Sequence, residues 1–565
     1  MQGGCPIDLC DATKAAGAEA MDLRQSCESG SIRAIHTGIG SIVESRVMLE
    51  LGFRVDRSAG EPAYRQLAIY LRELIDAQRL PPGTKLPATR ELACALGLAR
   101  VTIVAAYEAL AREGRITSQV GRGSFVSPAL RTGPAVKPAA SGRAFVWPSL
   151  FALRSRLLAI PAGIVPRAPG REPRYDFLAG QVDGASLPLA ELRRALALGV
   201  RRHGRELGEH QDAYGWRPLR REIARLLVAR GIECEPEEIA VVSGAQQAID
   251  LLARVLVDPG DTVVIEQPGY FGAALAFRAA QANLVGVAVD EQGLRTSELE
   301  RVLRARRVKL VYTTPAAQNP TGVVMSDSRR AELLTLADEH QLPILEDDYA
   351  GELRYRGHAV GALKALDRAG QVIYAGTFSK LLFPSLRIGF VVAPRLLLRT
   401  LVLAHWNADG GPALLPQLAL TTMLRTGELE RHLRRVRKLY SARLIAMLEA
   451  LRTSMPAGTR WTEPAAGHTV WVTLPDGVDG AVVYQDAMAD GVLYARGDAF
   501  TIDGQGVSQL DLSFARLPEA TIVEGIERLA AIVRRHARGT GLRRGARATR
   551  DGAPKRGGAL DVASR

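Results

Sequence analysis

One segment of the chain combines a lysine with residue types that bind an anion. It reads YAGTFSKLLFPSLRIGF and begins with an apolar strand, predicted over Val372–Ala375. Lys380 follows that strand, and a lysine can attack an aldehyde once burial or a neighbouring cation lowers its pKa and removes its proton. Thr377, Ser379 and Arg387 are its neighbours in the sequence, and an arginine can bind a phosphate through paired donors. The segment therefore predicts a nucleophilic lysine beside a phosphate site.

A second anion site is predicted upstream. The segment VVSGAQQAIDLL reads as a strand, a glycine turn and the start of a helix. The first backbone N–H groups of a helix have no partner inside the helix and attract anions. Those of Gly244, Ala245 and Gln246 would therefore point at a phosphate. The chain thus carries two separate segments suited to binding one phosphate group.

Polar and aromatic residues suited to a pyridine ring occur in three further motifs. In LPILEDDYAGELRY, Asp347 or Asp348 ends a strand at the edge where open α/β sheets bind ligands, and could keep a pyridine nitrogen protonated. Tyr349, and Asn319 in TTPAAQNPTG, could donate to the ring 3-oxygen, while Tyr270 in EQPGY could stack on the ring. Taken singly, each residue has an ordinary explanation. Lys380 could be a solvated surface lysine, the two aspartates could cap a helix, and the aromatic residues could belong to the core. Their joint order predicts a pyridoxal 5'-phosphate site with the lysine as its catalytic residue.

The segment before residue 128 has the pattern of a winged helix-turn-helix. Helices are predicted over Tyr64–Ala77, Thr89–Leu96 and Arg100–Glu113, and a glycine-containing turn joins the second to the third. Two short strands, Arg115–Gln119 and Ser124–Val126, flank the turn VGRG, whose glycines permit positive φ. The alternative interpretation is a small helical bundle that does not bind nucleic acid.

Basic and hydroxyl side chains occur where such a domain contacts DNA. Arg100 and Thr102 begin the third helix, whose amino-terminal end enters the major groove in this class of domain. Arg90, near the start of the second helix, and Arg122, at the tip of the wing, are placed for phosphate contacts. We therefore expect double-stranded DNA as a partner, which the net charge of +13 also favours.

Length and composition divide the chain into parts. Its 565 residues exceed one ordinary domain. Apolar runs alternate with helical patterns through most of the chain, which is typical of an α/β fold with a mainly parallel sheet, whereas the winged helix-turn-helix is α+β. We predict a weakly ordered extension (1–58), the DNA-binding domain (59–127), a Pro/Gly-rich linker (128–172), the cofactor-binding domain (173–535) and a basic disordered tail (536–565).

Composition also narrows the cellular setting. No apolar run is long enough to cross a membrane, and the amino terminus lacks the pattern of a signal peptide. The five cysteines form no CxxC pair, which favours reduced thiols and disfavours structural zinc. We expect a cytoplasmic protein without a metal site. Translation could start at Met1 or at Met48, which precedes the first strongly patterned segment.

Two regions resemble known families. The string LPATRELACALGLARVTIVAAYEALAREG, followed by GRGSFV, resembles the GntR-type winged-helix domain. The series SGAQQ, EQPGY, QNPTG, EDDY and GTFSK, with an arginine seven residues after the lysine, resembles the fold-type I aminotransferases. The first resemblance implies DNA contacts at Arg90, Arg100, Thr102 and Gly121 or Gly123.

The fusion of these two regions resembles the MocR/GabR subfamily of GntR regulators. That resemblance implies a pyridoxal-phosphate-dependent transcription regulator that forms a domain-swapped homodimer. It also implies an effector that is an amino compound or pyridoxal phosphate itself. A working aminotransferase with an ancillary DNA-binding module is the main alternative, and a cofactor-free DNA-binding scaffold is a third.

The chain departs from these families at three positions. Val104 replaces an arginine found in many GntR relatives. His210 stands where relatives have a tyrosine that reaches the phosphate from the partner subunit, and Tyr214 is displaced to the residue before a glycine. In LDLSFARL, Asp511 stands where catalytic aminotransferases have an arginine for the substrate carboxylate, and Arg516 follows five residues later. Because like charges repel, we expect a ligand with a second amine, or the cofactor alone, in place of an ordinary α-amino acid.

Overall fold

The computed structural model describes residues 62–76, 80, 84–119, 123–127, 152, 155, 173–209, 212–357 and 361–548. The chain forms two compact units, Met1–Phe145 and Val146–Arg565, so the division falls inside the segment predicted as a linker. Within the ranges described, no helix is both long enough and apolar enough to cross a membrane.

The first unit has the element order of a winged helix-turn-helix. Its elements are α1 (Ala63–Asp76), α2 (Thr89–Leu96), α3 (Arg100–Arg112), β1 (Ile116–Gln119) and β2 (Gly123–Val126). Helix α2 ends at Gly97, whose φ of 62° is a left-handed conformation that glycine adopts without steric cost. Leu67, Leu71, Ile103 and Leu110 are fully buried between α1 and α3. The predicted helices and strands are confirmed to within one residue at each end.

The second unit alternates helices and strands. Its helices are α4 (Leu189–His203), α5 (Arg217–Val228), α6 (Ala245–Leu256), α7 (Phe271–Ala279), α8 (Thr296–Ala305), α9 (Asp327–His340), α10 (Leu363–Leu366), α11 (Arg395–Asp409), α12 (Leu414–Arg425), α13 (Glu428–Ser454), α14 (Gly480–Ala489) and α15 (Glu519–Ala548). Its strands are β3 (Tyr175–Asp176), β4 (Ile239–Val242), β5 (Thr262–Gln267), β6 (Asn283–Asp290), β7 (Gly293–Leu294), β8 (Leu310–Thr313), β9 (Ile344–Asp348), β10 (Val372–Thr377), β11 (Gly389–Val392), β12 (Arg460–Trp461), β13 (Thr469–Thr473), β14 (Val492–Leu493), β15 (Ala495–Arg496) and β16 (Gln509–Ser513).

The central sheet has eight strands in the order β4-β11-β10-β9-β8-β5-β6-β7. Strands β10, β9, β8, β5 and β6 pair in parallel, whereas β11 is antiparallel to both of its neighbours and β7 is antiparallel to β6. Every residue of β4, β8, β9, β10 and β11 is buried, as expected for a sheet covered by helices on both faces. The prediction of a mainly parallel sheet is confirmed.

A smaller antiparallel sheet was not expected from the sequence. It has the order β12-β13-β16-β15, and a separate parallel pair joins β14 to β3. Four of these strands are only two residues long, too short for an alternating pattern to stand out. The small sheet matters for the site because β16 carries Asp511.

Helix α15 runs to Ala548 and so passes the boundary predicted at residue 535. Its buried residues Ile522, Ile526, Leu529 and Val533 recur at helical spacing and pack it into the main core of the second unit. The tail predicted over 536–565 therefore begins as a continuation of this helix. Residues 549–565 lie outside the described ranges.

A close backbone approach holds the turn after β4 against the start of β11. The turn begins at Gly244, whose φ is 101°. A Cβ atom added at Gly389 would lie 2.7 Å from Gly244 Cα and 2.8 Å from the Gly376 carbonyl oxygen. Because all of these neighbours are backbone atoms, a side chain at Gly389 could be accommodated only by moving a strand or the turn.

This contact predicts a stability defect. We expect Gly389→Ala to lower the free energy of unfolding by roughly 1–3 kcal/mol, the usual cost of overpacking a rigid site. Gly184→Ala is the matched control, because a Cβ atom there would meet nothing within 4 Å. Urea unfolding of both variants measures the difference. Equal stabilities for the two variants would contradict the close approach.

Candidate functional site

A cavity of about 250 Å³ lies in the second unit at the carboxyl ends of the central strands. All of the predicted cofactor-binding residues except Gly244 line it: Ala245, Gln246, Tyr270, Asn319, Asp347, Tyr349, Thr377, Ser379, Lys380 and Arg387. These residues come from five separate motifs, and the parallel strands bring them together because their carboxyl ends meet at one edge of the sheet.

Lys380 lies in this cavity among carboxylates. The surrounding protein desolvates its ammonium and lowers its pKa to about 8, while the negative charges of Asp511 and Asp347 oppose that shift. A Cβ atom added at Gly180 would lie 3.7 Å from Lys380 Nζ, so glycine leaves the amine room on that side. An amine with this pKa loses its proton much more readily than a solvated lysine does. Lys380 is therefore poised to act as a nucleophile.

The two adjacent aspartates at the end of β9 have different surroundings. Asp348 accepts hydrogen bonds from Arg230 Nη2 at 2.7 Å, Tyr374 Oη at 2.8 Å and the Gly351 amide at 2.7 Å, so its carboxylate is fully engaged. Asp347 lines the cavity and accepts a hydrogen bond from Tyr312 Oη at 2.8 Å on Oδ2. These contacts assign Asp348 to the scaffold and leave Asp347 for a ligand.

The other carboxylate oxygen of Asp347 is available to a ligand. This atom, Oδ1, is buried and has no hydrogen-bond partner among the described residues. Burial raises the pKa of this carboxyl to about 7, against the lowering effect of the Tyr312 hydrogen bond. A buried acceptor without a donor is costly, so its presence in a cavity wall indicates a ligand that donates to it.

The predicted phosphate end is formed by two turns. A Cβ atom added at Gly244 would lie 3.3 Å from Arg387 Nη1, which places the guanidinium against the turn that starts α6. Ser379 Oγ is buried without a partner in the described part of the chain, and the Ser379 amide donates to Thr377 Oγ1 at 3.2 Å. Arg387 is exposed and has a φ of 51°. A helix amino terminus, a hydroxyl and a guanidinium thus converge as an anion site requires.

A buried glutamate fixes the turn that carries Asn319. Glu266, at the end of β5, accepts hydrogen bonds from Thr313 Oγ1 at 2.5 Å, the Thr314 amide at 3.1 Å and Thr314 Oγ1 at 2.6 Å. It also accepts one from Gln318 Nε2 at 3.1 Å, and Gln318 Nε2 donates in turn to the Pro268 carbonyl at 2.8 Å. Glu266 therefore ties the QNPTG turn to the EQPGY turn.

Tyr270 is held in place by a glutamine from the phosphate turn. Its hydroxyl donates to Gln246 Oε1 at 2.9 Å, and Gln246 Nε2 donates to the Gly272 carbonyl at 2.9 Å. Gln246 was predicted to bind phosphate through its backbone, and the structure adds this side-chain role.

Sequence reasoning missed several residues of the cavity wall. They are Leu178, Ala179, Gly180, Phe271, Pro384, His468, Ala495 and Phe500. Most are apolar, and no spacing or residue type marks them as ligand contacts. His468 could have been suspected, since it follows a glycine in AAGHTVW just before a strand. Its ring packs edge-on against Tyr349 at 5.8 Å, and burial lowers its pKa to about 3, so it is neutral.

The predicted DNA contacts belong to the first unit. Arg90 and Arg100 are exposed, and Arg100 Nε donates to Thr89 Oγ1 at 3.4 Å, so the starts of α2 and α3 lie together. Thr102 is half-buried, and Gly123 has a φ of 107° at the start of β2. The predictions for Gly121 and Arg122 lie outside the described residues. Val101, between two predicted contacts, is 73% exposed, which leaves this end of α3 open to a partner.

The three departures from the family patterns have separate outcomes. Val104 is half-buried on α3, and His210 lies outside the described residues. Tyr214 packs its ring beneath Arg220, 5.7 Å from the guanidinium carbon. Asp511 is fully buried, and neither of its carboxylate oxygens has a hydrogen-bond partner in the described part of the chain.

These residues fit pyridoxal phosphate. The cavity combines a lysine of lowered pKa, an anion site at a helix amino terminus and a carboxylate oxygen to which no described residue donates. The three features match an aldehyde, a phosphate and a protonated ring nitrogen, respectively.

Comparisons with known proteins cover both units. The chain matches the family Aminotransferase class I and II over residues 175–529 and the family Bacterial regulatory proteins, gntR family, over residues 63–126. It is 38% identical to aromatic-amino-acid aminotransferase 1 of Thermococcus litoralis, over 59% of this chain and 82% of the relative. Among solved structures it resembles LysN, the alpha-aminoadipate aminotransferase of Thermus thermophilus, complexed with N-(5'-phosphopyridoxyl)-L-leucine. That likeness has a TM-score of 0.63 and 32% identity, covering 69% of this chain and 98% of LysN.

One relative matches both units at once. The probable rhizopine catabolism regulatory protein MocR of Rhizobium meliloti is 35% identical over 84% of this chain and 94% of its own length. A GntR-type helix-turn-helix followed by an aminotransferase domain is the arrangement found here. The chain therefore belongs to the aminotransferase class I and II family and, through its fused DNA-binding domain, to the MocR/GabR subfamily of GntR-type transcription regulators.

Proposed function

We propose that this protein is a pyridoxal-phosphate-dependent transcription regulator whose aminotransferase-like domain binds an effector and thereby changes affinity for operator DNA. The observation that carries the proposal is the presence, in one chain, of a winged helix-turn-helix and a cavity in which a desolvated lysine faces an anion site. We propose that the effector is either an amino compound, because an aldehyde in the cavity selects amines, or pyridoxal phosphate itself.

Each cavity residue has a proposed task. Lys380 attaches the cofactor through its deprotonated amine, and the free oxygen of Asp347 accepts from the ring nitrogen. Tyr349 and Asn319 donate to the ring 3-oxygen, and Tyr270 packs against the ring. When bound, pyridoxal phosphate supplies an aldehyde for amines and a ring that withdraws electrons.

The phosphate is assigned to the residues at the other end of the cavity. These are the backbone amides of Gly244, Ala245 and Gln246 with the side chains of Thr377, Ser379 and Arg387. The charge-assisted contacts from Arg387 contribute most to affinity, because hydrogen bonds between ions are roughly twice as strong as neutral ones.

A homodimer is part of this proposal. Helix α11 exposes Leu396 at 78% and Leu403 at 65%, two large apolar side chains that an isolated monomer would leave in water. A second copy of the chain would cover them.

The first prediction from this proposal concerns Lys380. We expect the purified protein to show the visible absorption of lysine-bound pyridoxal phosphate and Lys380→Ala to lose it, because Lys380 is the one lysine among the described residues that line the cavity. Lys438→Ala, which removes an exposed lysine from α13, should keep the absorption. Borohydride reduction followed by peptide mass spectrometry should label Lys380, and a label on a different lysine would refute the assignment.

The second concerns Arg100. We expect Arg100→Ala to weaken binding to duplex DNA by about 1–3 kcal/mol at fixed salt, because one base or phosphate contact at the start of α3 is lost. Arg112→Ala removes an exposed arginine from the other end of the same helix and should have a smaller effect. Fluorescence anisotropy with a duplex selected by the protein from a random library measures both. If Arg100→Ala bound as tightly as the wild type, α3 would not be the recognition helix.

The third separates regulation from catalysis. A regulator should bind the selected duplex, change its affinity for DNA when an effector amine is added, and show negligible turnover of amino donors with 2-oxo acids. The alternative, a working aminotransferase, predicts sustained turnover and DNA binding that no amine alters. Parallel anisotropy titrations and coupled transamination assays on one preparation decide between them.

A further inference from the structure

Asp511 differs from the other buried carboxylates of the second unit. Glu266, Asp348 and Asp511 are all at least 90% buried. Glu266 and Asp348 accept four and three hydrogen bonds, respectively, whereas both oxygens of Asp511 lack a partner among the described residues. The hydroxyl of Thr469 approaches Asp511 closely enough to lower its pKa, but its single proton is donated to the Pro320 carbonyl at 2.9 Å. A buried carboxylate with no donor is rare and costly, so its surroundings require an explanation.

The pairing of β16 places Asp511 on the face of the small sheet that carries Ala495, although Asp511 itself is fully buried and is not among the residues that line the cavity. Asp511 is in register with Trp471 on β13 and with Ala495 on β15. Side chains in register on adjacent strands lie on the same face of a sheet. Ala495 lines the cavity, and Trp471 packs at 5.5 Å against Phe500, which also lines it.

Lys380 is the cation whose charge acts on Asp511. Burial raises the pKa of Asp511 to about 8, even though the Thr469 hydroxyl and the ammonium of Lys380 both lower it. The interaction is mutual, because the negative charge of Asp511 raises the pKa of Lys380. Asp511 also raises the pKa of Tyr349, another residue of the cavity wall. The carboxylate is thus electrostatically part of the cavity.

The arginines near this end of the cavity cannot serve a ligand carboxylate. Arg496 Nε donates to Asp498 at 2.8 Å, and Arg516 forms an ion pair with Asp176. Among the described residues that line the cavity, the only other cation beside Lys380 is Arg387, which lies against Gly244 at the phosphate end. A ligand carboxylate near Asp511 would therefore find no free cation to pair with among the described residues of the cavity wall.

We propose that Asp511 recognises a second ammonium group on the effector, so that the cavity selects diamines over monoamines and over amino acids. One amine of such a ligand takes the place of the Lys380 amine at the cofactor aldehyde, and the other lies beside Ala495, the cavity residue in register with Asp511, whose carboxyl has no hydrogen-bond partner among the described residues. His468, on the adjacent wall, does not oppose this cation because its ring is neutral. The inference rests on the proposed function, since it assigns the chemistry of the effector.

Three ligands of equal chain length test the inference. Putrescine, butylamine and 4-aminobutyrate each have four carbons; the fourth carries an ammonium group in putrescine, is a methyl group in butylamine and is the carboxylate carbon in 4-aminobutyrate. Binding to the cofactor-loaded protein is measured by calorimetry and by the change in visible absorption. We expect putrescine to bind roughly ten- to a hundredfold more tightly than butylamine, the gain from one hydrogen bond between ions, and 4-aminobutyrate to bind most weakly.

Asp511→Asn should make putrescine and butylamine bind equally, because the substitution removes the charge and keeps the shape. Asp503→Asn is the matched control, since it neutralises an exposed aspartate of the same unit and should leave the order of affinities unchanged. A preference for putrescine that survives in Asp511→Asn overturns the inference. Equal binding of 4-aminobutyrate and putrescine by the wild type also overturns it.

Folding of the variant is checked by thermal unfolding. Because the substitution removes a buried ionisable group that has no hydrogen-bond partner among the described residues, we expect Asp511→Asn to unfold at or above the temperature of the wild type. If the asparagine variant does not fold, Asp511→Leu is the second variant, because leucine is similar in size to aspartate and cannot ionise. We expect it to bind putrescine and butylamine equally as well.

The effect of the bound amine on affinity for DNA distinguishes the inference from the proposed function. Diamine binding that depends on Asp511 but leaves affinity for the selected duplex unchanged would contradict the proposed function and support the inference. Conversely, an amine that alters DNA affinity equally in the wild type and in Asp511→Asn would support the proposed function and contradict the inference.

Discussion

The ammonium of Lys380 stands in a desolvated cavity, and an unpaired cation in such a place is costly unless carboxylates compensate for it. Asp347 and Asp511 do so from two different sheets, the central one and the small antiparallel one. Their charges raise the pKa of the lysine while desolvation lowers it, and the balance leaves an amine that titrates at about 8. Packing of the small sheet against the central one is therefore a requirement of the chemistry as well as of stability.

The remaining buried charges of this region stabilise backbone turns. Glu266 joins two turns through the donors of Thr313, Thr314 and Gln318, and Asp348 is paired with Arg230. Removing one partner of such a group leaves the other buried and unpaired, which usually costs several kcal/mol. The carboxylates thus divide into those with every oxygen engaged, which shape the cavity, and those with a free oxygen, which face a ligand.

That division explains how far the sequence could predict the site. The five motifs identified nearly the whole polar lining because each one follows a strand whose carboxyl end reaches the same edge. The choice between Asp347 and Asp348 remained open, since adjacent residues of a strand point to opposite faces and only the contacts of each face settle their roles. Arg230 and Tyr312, which make those contacts, are distant in sequence from both aspartates.

Other parts of the site carry no local signal. Gly180, Ala495 and Phe500 line the cavity through long-range packing, and strands of two residues such as β3 and β15 are too short to show a pattern. Asp511 could be singled out only because a resemblance predicted a different residue at that position. Its lack of donors among the described residues, which carries the inference about the effector, is a property of the folded chain alone.

The order of elements bears on how a ligand in the cavity could act on the DNA-binding domain. Leu178, Ala179 and Gly180 line the cavity and directly follow β3, the first strand after the predicted linker. Asp176 in β3 is paired with Arg516, and its Oδ1 accepts from the Leu178 amide at 3.0 Å. A ligand shifts an equilibrium only by its difference in affinity for the two states, so occupancy of the cavity is not sufficient for regulation. Residues 178–180 are the lining residues nearest in sequence to the winged helix, and a regulatory effector must bind one arrangement of the protein better than another.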